Sequence, residues 1–225
     1  MTTLVGYPVS PFVRKVRVAL EHKRIRYTLD PLVPYTEREK VLPLNPAGTV
    51  PVLLHDGRLP ITESADIVAW AEETEPTPSL IPADPAQRDR ALQIQQFADT
   101  HMAQVFGGMM FGQRIVVSFY FGKTGKEDMV AKAMTDYAPQ LLDQIAELLG
   151  DADYAAGTFS VADIAMASWL RGANLAGFRL DADQWPSVDA WRRRVEAQDG
   201  FAEVIAQESA LQVVQWARKN YGVAP

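Results

Sequence analysis

Residues 75–86 carry Pro76, Pro78, Pro82 and Pro85 with no sustained periodicity, so neither a helix nor a strand can run through them. Before this stretch, short apolar runs alternate with turn residues. After it, every convincing segment has helical spacing. A mixed α/β beginning and an all-helical remainder must pack as two subdomains, 1–75 and 87–225, joined by a linker over 76–86. A chain of 225 residues is long enough for both.

Within the first part, residues 3–7 read as a buried strand, 13–23 as an amphipathic helix and 25–33 as a second strand. That is a βαβ unit, whose strands should be parallel. Val13, Val16, Val18, Ala19 and Leu20 form the apolar side of the helix, while Arg14, Lys15, Arg17 and Lys23 are expected to reach water. Two short apolar runs, 49–54 and 59–61, flank His55-Asp56-Gly57-Arg58 as a hairpin. Pro51 removes a ladder donor, which a cis Val50–Pro51 bond at the strand's entrance would accommodate. Ser64 reads as the N-cap of a helix over 65–73. In the second part the spacing predicts helices over 88–119, 126–149, 160–170, 188–198 and 201–220. The first of these should bend or break at Gly107-Gly108 and Gly112, and the second should kink at Pro139.

Candidate chemistry gathers at two turns. In Ser10-Pro11-Phe12-Val13-Arg14 a strand passes directly into a helix; serine is a favoured N-cap, and proline loses nothing at the first helical position. The turn offers a hydroxyl and unpaired N–H groups at the positive end of a helix dipole, a setting that suits a thiolate or another anion. Thr62-Glu63-Ser64 offers a second such turn. A purely structural cap satisfies either sequence equally well. Ser160 and Asp163, in Ser-x-x-Asp spacing before an apolar run, form a capping box whose role is stability.

Composition removes several classes. Twenty-two basic against twenty-eight acidic side chains, net -6, argue against a nucleic-acid partner. No apolar run approaches the roughly 20 residues that cross a bilayer. Met1-Thr2-Thr3-Leu4 lacks the features of a signal peptide, so a cytoplasmic protein is expected. With no cysteine there is no disulfide, zinc–cysteine site or cysteine nucleophile.

Four local patterns, in order, give the chain a resemblance to the cytosolic glutathione transferases over nearly its whole length. Ser10-Pro11-Phe12-Val13-Arg14 resembles the active-site turn of the serine-type classes, and Asn45-Pro46-Ala47-Gly48-Thr49-Val50-Pro51-Val52-Leu53 the segment that holds the family's cis-proline. Thr62-Glu63-Ser64-Ala65-Asp66-Ile67 resembles the Glu-Ser glutathione-binding turn, and Phe159-Ser160-Val161-Ala162-Asp163-Ile164-Ala165 the family's buried capping box. The resemblance implies a thioredoxin-like α/β domain followed by an all-α domain, in a homodimer. It implies glutathione as substrate or cosubstrate without a metal, its thiol activated to attack an apolar electrophile or a peroxide, as in detoxification. The alternative is a non-catalytic interaction protein that retains the fold, with residues 211–216 as a docking surface.

The same resemblance suggests Ser10 as the thiol activator, with Tyr7 as its rival. It places Val50, its backbone freed by Pro51, at the cysteinyl part of glutathione, Glu63 and Ser64 at its γ-glutamyl end, and Thr49 and Ser10 among the glutathione-binding residues. Asp99 would reach that end across a dimer interface. Thr49 stands where many relatives have a lysine or arginine, so the glycyl carboxylate lacks an obvious cation; Arg38, Lys40 and Arg14 are candidates. Phe12, Met102, Phe106, Met109 and Met110, with Phe111 and Trp216, would wall an electrophile pocket, although such a stripe also fits plain core. His101, in the same stripe, reads as packed.

Overall fold

The computed structural model describes residues 1–223. The central strand of a three-stranded sheet is β1 (Thr2–Val5), flanked by β2 (Thr28–Asp30) and β3 (Val52–His55) in the order β2-β1-β3. As the βαβ reading requires, β1 and β2 are parallel, in the register Leu4↔Leu29. β3 is antiparallel to β1, with Val5 opposite Val52. The hairpin's return arm is reduced to Ile61, which exchanges two hydrogen bonds with Leu53 (2.8 and 3.0 Å). Helices α1 (Pro11–His22) and α3 (Ser64–Thr74) cover the sheet through Leu4, Val13, Val16, Leu20, Leu53 and Ile67. The single turn α2 (Arg38–Val41) lies between β2 and β3.

The remainder is helical: α4 (Pro85–Phe97), a π-helical segment (Ala98–Tyr120), α5 (Glu127–Lys132), a short π segment (Ala133–Tyr137), α6 (Ala138–Leu149), α7 (Val161–Leu175), α8 (Pro186–Glu196), α9 (Asp199–Ser209) and α10 (Gln212–Tyr221). Pro139 falls in the first turn of α6, where its missing N–H is harmless, and the wider π turn before it takes up the kink. Glycines 107, 108 and 112 do not interrupt their helix; the wider hydrogen-bonding repeat runs through them. The single helix expected over 201–220 is two. Leu211 adopts an extended conformation between α9 and α10, although no glycine or proline marks the break.

The polar side of α1 departs most from expectation. Arg14, Lys15, Arg17 and Lys23 are all buried, because α1 lies between the sheet on one side and α7 and α9 on the other. Each cation finds partners. Arg14 donates to both oxygens of Glu208 (2.8 and 3.0 Å) and to the carbonyls of Ser168 and Val9. Lys15 pairs with Asp99, and Arg17 with Gln207. Lys23 meets Glu72 at 2.8 Å and the carbonyls of Glu75 and Pro78. A buried cation is tolerable only with such company.

Candidate functional site

The topology brings three turns to one end of the sheet. β1 ends where the Tyr7–Ser10 turn begins. Because β3 runs antiparallel to β1, its entrance at Val50-Pro51 lies beside that turn. Ile61 runs antiparallel to β3, so the chain leaves it toward the same end and delivers Glu63 and Ser64 there. The Val50–Pro51 bond is cis, the arrangement expected to accommodate a proline at the strand's entrance.

Ser10 caps α1 in an extended conformation. Its N–H donates to the Tyr7 carbonyl (3.0 Å), and its C=O accepts from Arg14 N–H (2.8 Å). Its hydroxyl makes no hydrogen bond among the described residues and lines a cleft of about 330 Å³ between the sheet domain and the helices. Neither backbone group of Val50 has a partner among the described residues. Ser64 is the first residue of α3 rather than its cap; that position falls to the exposed Glu63, in an extended conformation. Ser64 is buried and its hydroxyl is also unpaired. Two helix starts therefore present free donors toward one end of the sheet.

Aromatic rings of Phe12, Tyr35, Phe111 and Trp169 wall the Ser10 cleft, Phe12 meeting Trp169 edge-on with ring centroids 5.0 Å apart. Its floor is made of small residues from the π segment: Ala103, Gly107, Gly108 and Gly112. Of the seven residues expected to wall an electrophile pocket, only Phe12 and Phe111 do so. Met102, Phe106 and Met110 are fully buried in the helical core, and Met109 packs half-buried against the same core. Ala98, Met102, Phe106 and Met110, four apart, make up the buried side of the π segment, and Phe97, His101 and Met109 lie beside it. Gly107 and Gly108 face the cleft. His101 is exposed and stacked on Phe97 rather than packed.

Tyr7 does not line the Ser10 cleft. Its hydroxyl is buried without a partner among the described residues, beside a separate cavity shared with Phe119, Tyr120 and Leu211. Burial, reinforced by the neighbouring Tyr120, pushes its phenol well above the ordinary tyrosine range. Trp216 likewise packs with Phe119 and Tyr221, away from the cleft. Asp99 is not a free helix aspartate: one oxygen holds Lys15, and the other is buried and unpaired. Burial lowers the pKa of Lys15, and Asp99 opposes that shift.

Thr49 is exposed, and both its hydroxyl and its carbonyl accept from Asn45 (2.9 and 3.0 Å). Of the three cations considered for a carboxylate near it, Arg14 is committed to Glu208 in the interior and Lys40 to Glu37. Arg38 is exposed and rests on the carbonyls of Ala47 and Gly48, next to Thr49. Among the described residues, no cluster of three or more His, Cys, Asp or Glu side chains could hold a metal ion, and no helix is long and apolar enough to cross a membrane.

A thioredoxin-like sheet set against an all-helical domain, with donors at two helix starts, is an architecture like that of the glutathione transferases. Comparisons with known proteins agree. Family profiles for the glutathione S-transferase N-terminal and C-terminal domains match residues 4–79 and 97–199. A probable glutathione S-transferase from Nicotiana tabacum is 31% identical over 208 residues, covering 84% of this chain and 81% of its own. FtsZ-localized protein A from Caulobacter vibrioides is 29% identical over 210 residues, covering 91% and 90%. A glutathione S-transferase from Methylobacterium radiotolerans, solved in complex with glutathione sulfonate, is similar with a TM-score of 0.74 at 28% identity, covering 91% of this chain and 94% of its own. The chain belongs to the glutathione S-transferase family.

Proposed function

We propose that the protein is a serine-type glutathione transferase in which Ser10 ionises the glutathione thiol and the cleft beside Trp169 receives an apolar electrophile. The observation that carries this reading is the unpaired Ser10 hydroxyl at the start of α1, lining an aromatic cleft. A thiol with a pKa near 8.5 is only a few per cent ionised at neutral pH, and lowering it by about two units takes roughly 2.7 kcal/mol of preferential stabilisation. A hydroxyl donating to sulfur, with the helix-start amides of Phe12 and Val13 behind it, is a source of that size.

In the bound state Val50 pairs through its backbone with the cysteinyl peptide beside Pro51. Ser64 and the start of α3 hold the γ-glutamyl carboxylate, and Glu63 accepts from the ammonium. Arg38, rather than Thr49, meets the glycyl carboxylate. Asp99 contributes through its unpaired oxygen in a homodimer, a role that a monomer in sedimentation would remove. The thiol proton leaves for solvent. Sulfur then bonds to the electrophilic carbon as the leaving group departs with its electron pair, or attacks a peroxide oxygen, the O–O bond breaking to give the glutathione sulfenic acid and an alkoxide that takes a proton from solvent.

A second reading, a glutathione-transferase fold that serves as an interaction protein, is favoured by the likeness to FtsZ-localized protein A. Retention on immobilised glutathione, with conjugation of an aryl halide measured in parallel, separates the two. Retention with turnover that falls in Ser10→Ala supports the transferase. Failure to be retained overturns it and favours the interaction protein.

A further inference from the structure

On the far side of α7 from the Ser10 cleft, the helix packs against α8 around a third cavity of about 280 Å³. Arg171 lies in its lining and is only 7% exposed. Among the described residues its guanidinium has no partner: Nε and Nη2 are buried and unpaired, and no hydrogen bond reaches Nη1. Arg218, close enough for its charge to act on Arg171, also has a buried Nε that is unpaired among the described residues. The two carboxylates of the cavity, Asp189 and Glu196, are held by Arg192 at 2.7 Å and through a second short contact, and Asp189 also by Arg193. Arg179, at the rim, donates to the carbonyls of Asn174, Phe178 and Tyr221 but to no carboxylate. Glu208, whose charge reaches Arg171, is engaged by Arg14.

The lining thus holds four arginines against two committed carboxylates, and the most buried arginine has no hydrogen-bonded partner among the described residues. An isolated buried charge is strongly unfavourable unless a partner neutralises it. Desolvation and the charges of Arg14 and Arg218 disfavour the protonated guanidinium, Glu208 and Glu196 oppose them, and a bound anion would add to that opposition. Leu170, Phe178 and Leu180 supply an apolar wall beside it.

We propose that this cavity binds a small organic anion, its carboxylate or phosphate head on Arg171 and its apolar body against Phe178 and Leu180. A planar guanidinium suits either head by paired N–H···O bonds. The site is separate from the glutathione site and does not depend on the transferase reading.

The test is calorimetric titration of the whole protein with benzoate and with phenyl phosphate, in buffer whose only other anion is chloride. One equivalent of at least one probe should bind, and the tighter of the two identifies the head group. Arg171→Met should weaken binding by roughly tenfold or more, the scale of a lost charge-assisted hydrogen bond. Its unfolding temperature without probe should not fall, because the substitution removes an unpaired buried charge. Ala182→Trp, at an exposed position on the cavity rim, should weaken binding similarly and carries the test should Arg171→Met not fold. Absence of binding by either probe at millimolar concentration overturns the proposal. So does binding that survives both substitutions, which would place the probe in the Ser10 cleft instead.

Discussion

A β-carbon on Gly107 would lie 2.7 Å from the Trp169 ring, whereas one on Gly108 meets nothing within 4 Å. Gly107→Ala should therefore cost about 1–3 kcal/mol in denaturant unfolding, the usual scale of overpacking. Gly108→Leu should leave stability nearly unchanged while shrinking the cleft, raising KM for a bulky electrophile and not for glutathione. Equal effects of the two substitutions on stability would contradict this account of the cleft floor. Ser10 and Pro51 were legible in the sequence, because cap and turn chemistry is local. The cleft's small residues were not, since Gly107-Gly108 and Gly112 signal a helix break as readily as a floor. The buried cations of α1 were illegible for a different reason: their partners Glu208, Asp99 and Glu72 are far away in sequence.

At the scale of elements, the start of α7 is held by Asp163, whose carboxylate accepts from Ser160 N–H and Oγ, Ala155 N–H and Trp191 Nε1. Burial pushes this carboxyl up, and the donors around it oppose the shift. Removing it strands several buried donors, so Asp163→Ala should cost at least about 3 kcal/mol rather than the 1–2 of a simple cap. Unchanged thermal unfolding would refute that role. The capping box was readable from its spacing, but the tryptophan that makes it costly to lose was not. At the other end of α1, burial and the neighbouring Lys23 hold His22 below its ordinary pKa of 6.5. A depressed histidine contributes stability that is present above pH 6.5 and is lost as pH falls through the folded value. His22→Gln should flatten the acid limb of the stability–pH curve in that window; a parallel displacement of the whole curve would contradict it. Helix existence was legible from period, whereas the break at Leu211 and the π segments arise from packing between elements.

At the scale of the molecule, α1 is shared by both parts of the fold: one side completes the thioredoxin-like core and the other is the surface on which α7 and α9 rest. The same helix start carries Ser10, so the proposed chemistry sits where the two parts meet. The change of periodicity near residue 80 and the order of the four motifs were enough to read this architecture. The placement of the electrophile wall depended on which face the π segment presents, and no local pattern encoded that. The central claim is that Ser10 ionises glutathione. It is tested most directly by ultraviolet titration of thiolate absorbance with glutathione bound, since the chain has no cysteine of its own. The account predicts a bound thiol pKa about two units below the free value near 8.5, restored toward it by Ser10→Ala and unmoved by Tyr7→Phe. A bound thiol that titrates like free glutathione, or one lowered equally in Ser10→Ala, would contradict it.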